Sequence, residues 1–316
     1  MIKPYFYLCL CLALCACNAQ HTSYAYITNQ GEHTVSLINT ANNQVTDTIQ
    51  VDKAPVGVAV SKTLKRAYIS NVEGQSISVI DTFSKKVIDT IKIQGSPVGL
   101  ALSADSSTLY VADWFKNRVL AINTQHNNEI KVLKVGDAPA GLVVSPNNQK
   151  LYIANRDSND IAVVNASDLS IQSRIPVGKH PFGLALSQSG KLLASVNVQD
   201  DTISLIDTDT GKQKVISVGY HPYCAAFTSD EKFLYVTNTQ DDSVSVVDVL
   251  EAKTIHTINV GSTPEGIAID HLQQRAYVAN WGSNNVSVID IRTNQLLTTI
   301  KTGDKSRAFG HFILQD

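Results

Sequence analysis

The sequence lacks an excess of charge of either sign. Its 316 residues carry 26 basic and 28 acidic side chains, a formal net charge of −2. A chain with this balance has no overall electrostatic attraction for nucleic acids or for anionic lipid surfaces. The composition therefore counts against a partner that is recognised mainly through its phosphates.

Long apolar runs are missing as well. The run over residues 8–16 follows Lys3 and is shorter than the roughly 20 apolar residues that a membrane-spanning helix needs. A short apolar run behind a positive residue is typical of an export signal. Its end, Leu14-Cys15-Ala16-Cys17, resembles the bacterial lipobox, in which the last Cys receives the lipid, although Cys15 departs from the usual small residue.

This resemblance implies a signal peptide over residues 1–16, lipidation at Cys17 and a short tether over 17–23. Because Asn18 rather than Asp follows the lipidated residue, it also implies an outer-membrane lipoprotein that faces the periplasm or the cell surface. The alternative is cleavage after Ala19. That cleavage would leave a soluble periplasmic or secreted protein.

Cysteine is scarce beyond this segment. Four of the five Cys lie at positions 9, 11, 15 and 17, which leaves Cys224 in the rest of the chain. A lone Cys in an exported domain cannot form an internal disulfide, so Cys224 is predicted to be a small buried apolar residue. Nucleophile elbows, phosphate loops and HExxH zinc motifs are also absent.

A repeat of about 42 residues is present instead. Strand-like segments end in Asn or Asp at Asn29, Asn71, Asp113, Asn155, Asn197, Asn238 and Asn280. A second series recurs at Asn39, Asp81, Asn123, Asn165, Asp207, Asp248 and Asp290. Both series are spaced by 42, 42, 42, 42, 41 and 42 residues. A period of 40–45 residues with four short strands per unit is the signature of a β-propeller.

The units are out of phase with the two ends of the repeat region. Six complete units begin at Pro55, Pro97, Pro139, Pro181, Pro222 and Pro264. Residues 24–51 supply three strands without a first, and Arg307–Ile313, aligned with Arg307 on His180, supply a first strand. Pairing the two ends removes open sheet edges. The sequence therefore predicts an all-β, seven-bladed propeller over 24–316, with four antiparallel strands per blade and a ring closed by the N- and C-terminal strands.

The second strands of the units carry a recognisable motif. They read YAYITN, AYISN, LYVADW, LYIAN, LYVTN and AYVAN, whereas the fifth copy, LLASVN, lacks the Tyr. These segments resemble the YVTN-type β-propeller repeat of exported bacterial proteins over residues 24–316. The resemblance implies the fold and no single activity, since such proteins include surface proteins and binding scaffolds. Lactonases and lyases share the fold, but fold alone does not transfer activity.

Polar residues at the strand ends are predicted to be structural. The Asn and Asp series above are expected to cap turns by bonding nearby backbone groups. Asp200-Asp201 and Asp241-Asp242 occupy the same turn in neighbouring units. They lack the ligand spacing of a calcium loop, so we expect solvated turn residues and predict no metal site.

The candidate site residues depart from the repeat. Trp114 and Trp281, the only two Trp, immediately follow strand-ending residues, and Arg156 occupies the same position in the unit after that of Trp114. His180 and His221 precede Pro181 and Pro222 and are 41 residues apart. Phe182 and Tyr223 follow the two prolines.

These residues are expected on one face of the propeller. In an up-and-down blade, the turn between the second and third strands and the connection between blades emerge on the same side. One arc of the rim should therefore read Trp, Arg, His, His, Trp. Trp, Tyr and Arg are enriched in binding hot spots. The alternative is that the aromatic rings pack between blades.

The functional expectation is a monomeric, lipid-anchored propeller that acts as a binding or scaffold module for a protein or small ligand at the channel mouth. No cofactor is predicted. One alternative is an enzyme acting on a small ligand there, lactonase-like or lyase-like. A second is a binder of single-stranded nucleic acid through stacked Trp, against which the mildly acidic charge counts.

Overall fold

Strands make up almost all of the regular structure. The computed structural model describes residues 23–127 and 129–315. These residues form 29 strands, β1–β29, and one three-residue 3-10 turn, Trp114–Lys116. No helical segment within those two ranges is long and apolar enough to cross a membrane. The predicted signal peptide, Cys17 and most of the predicted tether lie outside the described residues.

The strands fall into four classes by their distance from the central axis. The innermost are β4 (Pro55–Ser61), β8 (Pro97–Leu102), β12 (Pro139–Val144), β16 (Pro181–Leu186), β20 (Pro222–Phe227) and β24 (Pro264–Asp270). The second strands are β1 (Tyr24–Asn29), β5 (Arg66–Asn71), β9 (Thr108–Asp113), β13 (Lys150–Asn155), β17 (Leu192–Asn197), β21 (Phe233–Asn238) and β25 (Arg275–Asn280). The third strands are β2 (Thr34–Asn39), β6 (Ser76–Asp81), β10 (Arg118–Asn123), β14 (Asp160–Asn165), β18 (Thr202–Asp207), β22 (Ser243–Asp248) and β26 (Asn285–Asp290). The outermost are β3 (Gln44–Gln50), β7 (Lys86–Lys92), β11 (Ile130–Lys134), β15 (Ile171–Pro176), β19 (Gln213–Ser217), β23 (Lys253–Asn259) and β27 (Gln295–Lys301). The chain closes with β28 (Phe309–His311) and β29 (Ile313–Leu314).

Seven sheets form the seven blades. Six contain four consecutive strands running from the innermost to the outermost, and in one of them β28 is added beside β4. The seventh has the order β29-β1-β2-β3. We number the blades 1–7 in chain order, so that blade 1 contains β1–β3 and blade 7 contains β24–β27. The predicted all-β, seven-bladed architecture with four antiparallel strands per blade is therefore confirmed.

Burial explains why each blade has apolar runs near the centre and alternation at the rim. Strands β5 and β6 are buried almost throughout, because each blade packs between two neighbours. The outermost strand β7 is exposed except at Ile91. The Tyr of the repeated motif is buried between blades, and the Tyr277 hydroxyl of blade 7 donates to the Thr40 carbonyl of blade 1 at 3.1 Å.

The two ends of the repeat region complete blade 1, as the sequence predicts. Strand β29 pairs antiparallel with β1, with Leu314 opposite Tyr24 and Ile313 opposite Ala25. A further bridge joins Ser306 to Asn29. The inner edge of β1 is thus covered by chain from the opposite end of the repeat region, which leaves no open blade in the ring.

The C-terminal residues 305–315, which we call the closing segment, have a register that differs from the predicted one. The Lys305 carbonyl accepts a hydrogen bond from the Gln30 amide at 3.1 Å, as the His180 carbonyl does from the Val198 amide at 3.1 Å. Lys305 and His180 also share a positive φ, 56° and 54°. Lys305 is therefore the equivalent of His180, and the predicted alignment of Arg307 with His180 is wrong.

Two additional residues explain the false match. In blade 5 only Leu184 separates Gly183 from Ala185, whereas residues 309–311 separate Ala308 from Phe312 in the closing segment. The additional residues leave blade 1, and β28 pairs in parallel with β4 of blade 2. Phe309-Gly310 in the insertion has the same sequence as Phe182-Gly183 in β16, so the sequence alignment was displaced by two residues from the register in the structure.

The two Asn and Asp series have different roles. The second series caps turns as predicted: Asn39 Oδ1, for example, accepts from the Ala41 amide at 2.9 Å. The first series is buried instead, and its side chains reach across to the next strand. Asn238 donates to the hydroxyls of Ser243 and Ser245, both at 3.0 Å. The cap prediction is therefore wrong for the first series, because its members point into the blade rather than along the turn.

Candidate functional site

The predicted site residues lie on one face of the propeller, which we call the upper face. The Trp114 amide donates to the Ser96 carbonyl at 3.1 Å, and the Trp281 amide donates to the Thr263 carbonyl at 2.9 Å. The His180 carbonyl accepts the equivalent hydrogen bond in blade 5. Each turn between second and third strands is thus bonded to the connection that enters its own blade, which places the Trp turns and the His loops together.

A row of seven equivalent positions surrounds the channel below this face. The row lies one residue after the start of each inner strand and consists of Val56, Val98, Ala140, Phe182, Tyr223, Glu265 and Arg307. Blades 2–4 contribute small apolar side chains, whereas blades 5, 6, 7 and 1 contribute two aromatic rings, an acid and a base. Because the backbone repeats around the ring, the asymmetry of the row resides in its side chains.

The charged part of the row is a buried ion pair. The Arg307 Nε donates to Glu265, which is 8% exposed, and an Arg307 Nη donates to the Tyr223 hydroxyl at 2.9 Å. Burial raises the pKa of Glu265 and the pKa of Tyr223, while Arg307 acts in the opposite direction on both. Burial opposes the charge of Arg307 too, but Tyr223 and Glu265 outweigh it and raise the pKa of Arg307.

A second branch leads from the ion pair to the rim. The other Arg307 Nη donates to Gln30 Oε1 at 3.3 Å, and the same oxygen accepts from the Trp281 indole N–H at 3.3 Å. The ammonium of Lys305 lies 5.5 Å from the centre of the Trp281 ring, within range of a cation–π contact. Trp281 is therefore held by polar partners from the closing segment and from blade 1.

The aromatic part of the row is a stack of rings. The Phe182 ring lies 4.2 Å from the Tyr223 ring, 5.0 Å from Phe309 and 5.6 Å from Trp114, measured between centres. Trp114 belongs to blade 3 and Phe182 to blade 5, and the intervening row residue is Ala140. A small side chain there lets Trp114 lean across blade 4. The Arg156 guanidinium caps the stack 5.6 Å from the Trp114 ring centre.

Phe309 divides the channel. Besides Phe182 and Tyr223, its ring approaches Gly99 of blade 3, where a Cβ would come within 3.3 Å of a ring carbon. Since β28 lies beside blade 2 and the Phe309 ring contacts Phe182 of blade 5, the ring extends across the channel. The seven-residue row lies above it, and a separate chamber lies below.

The structure joins most of the predicted site residues. Trp114, Arg156, Phe182 and Tyr223 form one continuous group, and Trp281 is linked to it through Gln30 and Arg307. We call this assembly, with Glu265, the upper network. Trp114 and Trp281 are both half-buried.

The two predicted His residues remain at the rim. His180 is half-buried and His221 is exposed, and within the described part of the chain neither imidazole makes a hydrogen bond, ion pair or ring contact. The Asp pairs nearby hold the connections between blades: Asp242 Oδ1 accepts from the Thr263 amide at 2.8 Å. Across residues 23–127 and 129–315, no group of three or more His, Cys, Asp or Glu side chains is arranged to hold a metal ion.

Sequence reasoning missed Glu265, Arg307 and Gln30. A signal for the first two was present, since Glu265 lies 42 residues after Tyr223 and Arg307 lies 42 residues after Glu265. Following the repeat register through the closing segment would have placed both in the row. Cys224 is buried, as predicted, at the position where most inner strands have Gly, and burial raises the pKa of its thiol.

Comparison with known families supports the propeller class. The family described as "Lactonase, 7-bladed beta-propeller" matches residues 134–224, and the family described as "Cytochrome D1 heme domain" matches residues 189–308. Each match covers less than half of the chain. Together with the seven blades, these matches define the chain as a seven-bladed β-propeller protein. No curated protein matches the chain by sequence.

Solved structures share the fold at low identity. The chain is similar to a hydrazine synthase chain from Kuenenia stuttgartiensis, with 21% identity, a TM-score of 0.75 and coverage of 84% of this chain and 91% of that one. A functionally unknown protein from Desulfotomaculum acetoxidans has 13% identity and a TM-score of 0.80, with coverage of 92% and 98%. Dihydro-heme d1 dehydrogenase NirN has 14% identity and a TM-score of 0.67, with coverage of 88% and 63%. At these identities the likeness concerns the fold alone.

Proposed function

We propose that the propeller is a binding module whose upper face holds a protein partner over the upper network. The observation that carries the proposal is the asymmetry of the channel row. A symmetric scaffold needs no change of side chain from blade to blade, yet four consecutive row positions hold two aromatic rings and a buried ion pair. Trp, Tyr and Arg, which dominate binding hot spots, are concentrated there.

The shape of the upper face favours a partner that covers it. Phe182 is 5% exposed and Glu265 8% exposed, so the floor is closed. Around it, Phe115 is 78% exposed and Tyr220 63% exposed on neighbouring upper loops. Exposed aromatic side chains around a closed floor suit an anchor-and-rim interface with another protein.

Site-specific photocrosslinking tests the proposal. A photoreactive residue at Tyr220 should give one discrete crosslinked protein in the native envelope, because Tyr220 lies beside the upper network. The matched control is Phe83, which is 89% exposed on the opposite face. Equal products from both positions, or none from Tyr220, would contradict a partner on the upper face.

The second candidate is an enzyme acting on a small ligand. It is favoured by the lactonase match over residues 134–224, which includes Phe182 and Tyr223, and by the Glu265–Arg307 pair in the channel. In this role, Glu265 would need to lose its ion pair before it could accept a proton. Turnover of a lactone panel that disappears in a Glu265→Gln variant shown by its melting curve to be folded would favour the enzyme over the binding module.

The heme named in the second family description does not fit the upper channel. The rings of Phe182, Tyr223 and Phe309 fill it, with centres 4.2–6.3 Å apart. A flat macrocycle would have to displace them. No step of the proposed function therefore involves heme. Binding of single-stranded nucleic acid also gains no support, because Asp200, Asp201, Asp241 and Asp242 lie on the upper loops and would repel phosphates.

We also propose that the domain is exported and anchored through a lipid on Cys17, with an exported soluble form as the alternative. The support is the sequence of residues 1–17.

A further inference from the structure

The chamber below Phe309 has the size of a small-molecule site. It encloses about 600 Å³ between the inner strands and opens toward the lower face, opposite the upper network. Small-molecule pockets in proteins commonly span about 300–1,000 Å³. Phe309 closes the top of the chamber, and the row of seven residues contributes nothing to its walls. We call this space the lower chamber.

The insertion in the closing segment supplies part of the chamber wall. Strand β28 lies beside β4 and contributes Phe309, Gly310 and His311 to the chamber. Gly310 has a φ of 110°, and a Cβ there would lie 2.6 Å from the Val58 carbonyl oxygen. This close approach requires Gly. The other six inner strands lack the insertion, so His311 has no equivalent in them.

A second imidazole faces the same space. His271 follows β24 and lines the lower chamber with His311. His271 is half-buried and His311 is exposed to the chamber. Desolvation by the surrounding strands lowers the pKa of both His residues, and repulsion by His271 lowers the pKa of His311 further. The Nδ1 of His271 is buried and has no hydrogen-bond partner in the described chain. The adjacent Asp270 is fully buried, and its Oδ2 likewise has no partner among the described residues.

The wall of the chamber carries basic side chains, whereas the carboxyl of Asp270 lies behind the wall. Besides the two His residues, Lys62 at the lower opening is the only charged side chain among the described residues of the wall. Burial lowers the pKa of His271, and Asp270 behind it acts in the opposite direction without outweighing burial. The Asp270 Oδ1 accepts a hydrogen bond from the Leu272 amide at 3.0 Å. The remaining wall is formed by Gly, Ala, Leu, Val, Ile and Phe residues with a few Ser and Thr, one Pro and Cys224. An apolar body with an anionic head is complementary to such walls.

From this geometry we propose that the lower chamber binds a small organic acid, with its carboxylate at His271 and His311 and its apolar body between the inner strands. The proposal is independent of the function proposed for the upper face. A carboxylate entering beside the two imidazoles favours their protonated form, so binding takes up a proton from solution. Affinity should therefore rise as the pH falls from 8 toward 6.

Calorimetry of the full chain with benzoate and hexanoate tests the proposal. At pH 7.5, titrations in buffers of different ionisation enthalpy should report uptake of up to about one proton per acid bound. His311→Gln should weaken benzoate binding by about tenfold, which corresponds to 1.4 kcal/mol, and reduce the proton uptake. His271→Gln provides a second variant. Melting curves identify any variant that has failed to fold.

The matched control is His256→Gln, because His256 is exposed on the outermost strand β23, away from the chamber. It should bind benzoate as the unaltered chain does. Absence of saturable binding by either acid would overturn the proposal, as would equal binding by folded His311→Gln and His271→Gln variants. If benzyl alcohol, which has no carboxylate, bound as tightly as benzoate, the chamber would be an apolar pocket without an acid site, and the proposal would be wrong. Binding of hemin that depends on His311, without binding of the acids, would replace the organic acid by a metal-centred ligand.

Discussion

Glu265 and Arg307 are adjacent in the channel row because blades 7 and 1 are neighbours in the ring. Each charge alone would be costly in this place, since burial penalises an ionised group that lacks a partner. The Tyr223 hydroxyl and the Gln30 side-chain oxygen accept further hydrogen bonds from the Arg307 guanidinium. The pair is therefore a single unit, and removing one member leaves the other uncompensated.

Arg307→Met should accordingly destabilise the fold by about 3–5 kcal/mol at pH 7, the usual range for breaking a buried ion pair. The folded pKa of Glu265 is already raised, and loss of Arg307 raises it further. Stability tied to a raised carboxyl pKa is present at low pH and is lost as the pH rises through that pKa. The defect measured by urea unfolding should therefore shrink toward pH 5.

The double variant Glu265→Gln with Arg307→Met is the control. It removes both charges and should recover most of the lost stability. A double variant as unstable as Arg307→Met alone would mean that packing of the Arg307 side chain, rather than its charge, is what matters.

Cys17 is the residue-scale test of the proposed anchor. Cys17→Ser should move the protein from the membrane fraction to the soluble fraction, because acyl chains contribute about 0.8 kcal/mol of membrane affinity per buried methylene. Cys15→Ser, two positions earlier, should stay in the membrane fraction. An unaltered protein that is already soluble and begins after Ala19 would favour simple export. Fractionation followed by N-terminal sequencing measures both outcomes.

The closing segment is the element on which the ring depends. It covers the inner edge of β1 through β29, and its Phe312 and Ile313 are 0% and 1% exposed. Deletion of residues 307–316 would expose this edge and uncover the core between blades 1 and 7. The loss concerns one short strand, but its consequence extends to both neighbouring blades.

That deletion should lower the melting temperature by about 10 °C or more, on a scale of about 2–4 °C per kcal/mol for a large domain. Ile313→Asp should act in the same direction by placing a charge at a buried position. Val87→Asp, on the partly exposed outermost strand β7, is the matched control and should change little. An unchanged unfolding midpoint in the truncated chain would contradict closure by β29.

Elements of this fold differ in how well sequence predicts them. The blades followed from the 42-residue register, because each unit repeats the same apolar runs and the same turn residues. The register of the closing segment could not be predicted in this way, because the insertion after Ala308 contains a second Phe-Gly pair that aligns with the one in β16. The positive φ of Lys305, which marks the true register, has no side-chain signature of its own. Because Arg307 was assigned to the wrong position of the repeat, its ion pair with Glu265 was not predicted.

On the scale of the whole molecule, Phe309 separates the two proposed binding surfaces. The upper network lies on one side of its ring and the lower chamber on the other. No hydrogen bond or ion pair of the described residues links His271 or His311 to the upper network. Coupling between sites requires a shared element with two states between which both ligands discriminate. Phe309 is the element between the two surfaces, and we expect it to keep one position, so that the two surfaces act independently.

Saturating benzoate should therefore leave the yield of the Tyr220 crosslink unchanged, and an upper-face partner should leave benzoate affinity unchanged. Crosslinking with and without the acid measures the first effect directly. A reduced yield would indicate that Phe309 moves when the lower chamber is filled. Phe309→Leu, which shortens the dividing side chain, should then increase the coupling.

The position of the two indoles gives the protein a built-in optical probe. Trp114 and Trp281 both lie on the upper face, and the chain contains no other Trp. Emission excited at the red edge of the absorption band thus reports on the upper face alone. A partner docking there should quench or shift the emission, while an acid entering from below should leave the spectrum as it is. A single Trp fluorescence titration therefore distinguishes a molecule that binds at the upper face from one that enters the lower chamber.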